Sequence, residues 1–143
     1  IDKYGLGFAG VYEHHDVLQN AYDLVEVILK AHPDLGAIYF SSANSVTFCN
    51  RLKELGHGHD MTIVASDVFP DIVNLVEEGI INATIFQNPF LQGRLAVRYL
   101  YEYMVEGRRF EDDVVLLDPQ IVLRSNLSLF SEILEQMKDD IIL

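Results

Sequence analysis

The sequence predicts an α/β fold, a parallel sheet with helices on both faces, from three observations. Short apolar runs alternate with helical periodicity along the chain. Those runs are apolar at consecutive positions rather than at every second one, as strands buried on both faces require. Finally, the polar residues gather just after the runs instead of being spread evenly.

The first apolar run, residues 5–12 (GLGFAGVY), reads as a buried strand. Over 16–32, Leu18, Ala21, Tyr22, Val25, Ile28 and Leu29 recur at helical spacing, and Pro33 ends the helix. A strand follows at 37–41 (AIYFS), then a helix at 45–55 closed by Gly56. Residues 62–66 (TIVAS) form the next strand. Pro70 opens a helix at its favoured first position and Gly79 stops it. The run 80–86 is a further strand, and a longer helix spans 89–106, with Leu91, Leu95, Tyr99 and Met104 as buried candidates. Residues 114–123 are extended and broken by Pro119, which predicts an edge strand or a crossing segment. A terminal helix is expected over 128–139.

The 143 residues, 50% of them hydrophobic, suffice for one domain with a real core. A formal net charge of -12 argues against this segment gripping nucleic acid, whose phosphates need a basic face. No apolar run approaches the roughly 20 residues needed to cross a bilayer. Cys49, the single cysteine, can form no internal disulfide, which fits a reducing compartment.

In open parallel sheets, ligands sit outside the carboxyl ends of the strands. The residues just past the expected strands are Glu13, His14, His15 and Asp16; Ser42, Ala43, Asn44 and Ser45; Asp67, Val68 and Phe69; and Gln87 and Asn88. Two amides and a carboxylate, Asn44, Gln87 and Asp67, provide paired donors and acceptors with one fixed negative charge. That set suits a sugar or another polyol, whose hydroxyls each donate and accept. Glu13, Asp16 and Phe69 complete the expected ligand-binding set. The competing reading makes Asn44 and Asp67 simple helix caps.

Other chemistries find less support. The run His57, Gly58, His59 and Asp60 precedes a strand, at the opposite end from the expected cleft, and too few ligands accompany it for zinc. Cys49 sits inside a helix as a buried thiol. No nucleophile elbow or phosphate-cradling glycine loop is present, so neither an enzyme, a cofactor nor a metal site is expected.

The stretches PDLGAIYFSSANSVTFCNRLKELG and TIVASDVFPDIVNLVEEGIINATIFQNPFLQGRLAVRYLYEYMVEG resemble the type I periplasmic-binding-protein fold. That fold is shared by the lactose/galactose repressor family of transcription regulators and the ribose-binding class of transport proteins. The resemblance extends from Phe8 to Leu127. It implies that Asn44, Asp67 and Gln87 contact a sugar-like or purine effector from the second of two lobes. Sugar-binding relatives often carry Asp directly after the Asn; here Ser45 stands there, and Ala65 and Ser66 replace a frequent glycine before the aspartate. By this resemblance, residues 1–127 form a partial effector-binding lobe. Segment 89–112 belongs to or contacts an N-terminal lobe lying outside this sequence, and 128–143 is a C-terminal helix and tail. The implied protein is a cytoplasmic homodimer that reaches DNA only through a separate N-terminal helix-turn-helix. An exported solute-binding protein is the alternative.

Overall fold

The computed structural model describes residues 4–130. The elements run α1 (Leu18–Ala31), β1 (Ala37–Tyr39), α2 (Ser45–Glu54), β2 (Thr62–Ser66), α3 (Pro70–Glu77), β3 (Ala83–Phe86), α4 (Pro89–Met104) and β4 (Gln120–Val122). The strands form one sheet in the order β1-β2-β3-β4. The first three are parallel and β4 pairs antiparallel with β3. Pro119 immediately precedes this edge strand, where its missing N–H costs no ladder bond.

The turns follow from local chemistry. α2 and α3 end in the same way. Gly56, at φ 80°, donates its N–H to the Lys53 carbonyl, and His57 donates to Leu52. Gly79, at φ 76°, donates to Val76, and Ile80 donates to Leu75. Both are left-handed glycine stops that satisfy the last helical carbonyls. The second of them buries Ile80 and Ile81 in the turn, so β3 begins only at Ala83 instead of at residue 80.

Right-handed crossovers that step the same way across the sheet put α2 and α3 on one face, and α1 packs against α2. Strand register places Ile38, Ile63, Ala65, Thr84, Phe86 and Val122 toward that layer. Ile63, Ala65, Thr84, Phe86 and Val122 are buried there, in one core with Val25, Phe48, Leu52 and Ile72. The alternate positions Tyr39 and Ile121 are 60% and 66% exposed, while Val64, Ala83 and Ile85 are half-buried. The mostly parallel sheet with its helices is the α/β fold class that the sequence predicts, and α1, α2 and α3 cover this face.

Three expectations need correction. Residues 5–12 form no strand and stay exposed, with Phe8 67% and Val11 77% accessible. An apolar run becomes a strand only with a partner ladder, and Gly5 (φ 65°) and Gly10 (φ 151°) bend this one away from extended geometry. α1 starts at Leu18 rather than Asp16, because His15 and Asp16 are both left-handed. In α4 only Glu102 is buried; Leu91, Leu95 and Tyr99 are half-buried and Met104 is 72% exposed. Leu95 and Tyr99 line a 380 Å³ crevice against Val115, Leu116 and Leu117 of the same chain. Of the expected terminal helix, residues 127–130 are helical, and the rest lies outside the described residues.

Candidate functional site

Every strand-end loop on the parallel side of the sheet carries a non-glycine residue in the left-handed region or a side chain held by a neighbouring loop. Asp67 (φ 73°), at the end of β2, has its backbone clamped by β3. Its N–H donates to the Ile85 carbonyl at 2.8 Å, and the Thr84 hydroxyl donates to its carbonyl at 2.6 Å. Aspartate is among the non-glycine residues that tolerate this left-handed backbone, and the two contacts from β3 hold it there. The Asp67 carboxylate accepts from Gln87 Nε2 at 3.3 Å, joining the ends of β2 and β3. Phe69, not Asp67, occupies the N-cap of α3, so the cap reading fails for Asp67.

At the end of β1, Asn44 occupies the N-cap of α2, but its side chain makes no capping bond. Its Nδ2 instead reaches His14 Nδ1 at 3.2 Å. The same His14 nitrogen accepts the Asp16 backbone N–H at 3.1 Å, and His14 Nε2 lies 2.9 Å from Ser42 Oγ. The loop that delivers His14 is held at its carbonyl, which accepts from Val17 N–H and from Asn20 Nδ2. His14 and Asn44 line a 540 Å³ groove between segment 7–12, α1 and β1, with Tyr39, Phe40 and Ser42. Ser66 Oγ bonds the Phe40 carbonyl at 3.0 Å and lies 3.2 Å from Tyr39 Oη, fixing the ends of β1 and β2 together.

The structure thus brings Asn44 to His14 and Asp67 to Gln87, on neighbouring strand ends. It does not bring in the other three expected residues. Glu13 is exposed and faces His15 at 3.8 Å. Asp16 is exposed and contributes its backbone N–H rather than its carboxylate. Phe69 is half-buried and packs on the core. His14 was missed as a partner of Asn44, because sequence separation hides a contact made across 30 positions. Its place in the polar cluster that follows the apolar run 5–12 was the available signal.

Elsewhere, burial pushes the Cys49 thiol up to about 12, as an unreactive core cysteine requires. His57 pairs with Asp60 at 2.7 Å. Among the described residues no cluster of three metal-ligating side chains occurs, and no helix is long and apolar enough to cross a membrane.

The mostly parallel α/β sheet with polar residues at its carboxyl ends accompanies a family match over residues 2–108 to the periplasmic binding protein domain. The chain belongs to that family. Its fold recurs in a glucose-galactose binding protein, GanP, from Geobacillus stearothermophilus, at 25% identity and TM-score 0.72, over 80% of this chain and 41% of that one. A transporter solute-binding protein from Agrobacterium vitis, solved with alpha-D-tagatopyranose, matches at 18% identity and TM-score 0.80, over 89% of this chain and 42% of that one. A putative LacI transcriptional regulator from Bacteroides fragilis matches at 17% identity and TM-score 0.65, covering 76% and 37% respectively. This periplasmic-binding-protein domain therefore spans about two fifths of the length of the solved chains it resembles. No curated protein sequence matches it significantly.

Proposed function

We propose that this domain forms one wall of a sugar-binding cleft and acts as a binder, not a catalyst. The observation that carries the reading is the pair of side-chain couples on adjacent strand ends, Asn44 with His14 and Asp67 with Gln87. Each couple uses one polar atom internally and keeps another, Asn44 Oδ1 or the second Asp67 oxygen, for hydroxyl groups. The glucose-galactose binding protein that shares the fold supports a hexose as the ligand class. The second wall would come from another lobe, and the thinly buried α4 is the element that would pack against it.

For the parent protein, we read a lactose/galactose-repressor-type regulator, cytoplasmic and dimeric, contacting DNA through a separate domain. Sugar would favour one lobe angle, and that angle would set the spacing of the DNA readers. The Bacteroides fragilis regulator with this fold supports this reading. The second reading, an exported solute-binding protein, is favoured by the neighbours solved with D-fucose, D-allose and tagatose. Calorimetry of the intact protein against glucose, galactose, fucose, allose and tagatose tests the sugar claim. Binding of at least one with Kd near or below about 10 μM is expected; no binding to any refutes it. Sugar-dependent retention of DNA in a gel-shift assay then separates the regulator from the transport protein.

A further inference from the structure

We infer that His14 is a positioning residue that fixes the Asn44 amide, so that Asn44 meets its ligand with the carbonyl oxygen and accepts from a hydroxyl. This rests on the sugar-cleft reading above. The Asp16 N–H can only donate, and it points at His14 Nδ1, so that nitrogen carries a lone pair. The ring proton of neutral His14 therefore sits on Nε2, where Ser42 Oγ accepts it at 2.9 Å. With Nδ1 an acceptor, the Asn44 atom 3.2 Å from it must be the NH2 group; a flipped amide would set two acceptors against each other. Asn44 Oδ1 is thereby turned away from His14, and among the described residues no hydrogen bond engages it.

The loop is built to keep this arrangement. His15 and Asp16 are left-handed at φ 52° and 56°, neither is glycine, and the turn they make is what brings the Asp16 N–H back onto the ring. Val17 N–H and Asn20 Nδ2 hold the His14 carbonyl from the other side. Three separate hydrogen bonds thus hold the His14 loop in place beside the groove.

Two substitutions divide the ring's functions. Asn at position 14 places its Oδ1 where Nδ1 stands and retains the contact to Asn44. Gln places its amide near Nε2 and retains only the contact to Ser42. In the intact protein, H14Q is expected to weaken sugar binding about tenfold, the worth of one oriented hydrogen bond. H14N is expected to recover affinity to within about threefold of the natural protein. Long-range proton–nitrogen correlation spectra should place the His14 proton on Nε2. The Asn44 side-chain amide signals should shift in H14Q and stay near their native positions in H14N. A proton on Nδ1, or H14Q binding as well as H14N, overturns the inference. Should no sugar bind the natural protein, the cleft reading fails instead, and the tautomer and amide signals still decide the role of His14.

Discussion

Asp67→Asn removes one negative charge while preserving side-chain shape, and asparagine tolerates the left-handed backbone at φ 73° that alanine would strain. The Gln87 Nε2 contact at 3.3 Å holds one oxygen of residue 67, so the asparagine keeps its carbonyl toward Gln87 and turns its NH2 to the cleft. A ligand hydroxyl that donated to a carboxylate oxygen then meets a donor. Losing one charge-assisted hydrogen bond costs about 2 kcal/mol, or roughly 30-fold in Kd. Folding should hardly notice. The Gln87 bond is long and solvent-accessible, so stability falls by about 0.5 kcal/mol or less, about 2 °C in thermal midpoint for a domain of this size. The backbone clamps from Thr84 and Ile85 do not involve the side chain and persist. Calorimetry against the best-binding sugar, paired with a thermal melt, reads both quantities. A Kd within threefold of the natural protein would refute a ligand contact. A drop in midpoint above about 5 °C would show that Asp67 is structural.

Two further outcomes are expected. Glu102, buried on α4, binds Arg98 at 2.7 Å and Arg108 at 2.6 Å. The Arg98 hydrogen bond, opposed by desolvation and aided by the Arg108 charge, holds its carboxyl below the usual range. A depressed carboxyl stabilises the fold above its unfolded value of about 4.3 and loses that contribution as pH falls through the lower folded value. Thermal melts of Glu102→Gln and the natural protein should therefore differ at pH 7 and converge in acid; a gap constant with pH would contradict the ion-pair account. The second outcome concerns self-association. The 143-residue chain exposes Tyr39 and Ile121 on its open sheet face, and Val97, Leu100 and Met104 on α4. Such apolar surface recruits a second copy, so light scattering should report dimers or larger species, and a monomer at tens of micromolar would count against it.

Periodicity and turn chemistry in the sequence determined α1 to α4, β2 and the glycine stops at Gly56 and Gly79, because those signals act within a few residues. They also placed Asn44, Asp67 and Gln87 at strand ends, since in a parallel sheet the strand-to-helix turn is where polar loops collect. Tertiary structure decided the rest. Segment 5–12 has a strand's composition, yet a strand exists only where a partner ladder accepts it, and residue order cannot express that. That α2 and α3 share one face follows from strand order and crossover hand, which are properties of the assembled sheet. Whether Asn44 caps its helix or turns to His14 depends on a histidine delivered by a strained turn 30 positions away. Local propensity favoured the cap, and the long-range hydrogen bond replaced it.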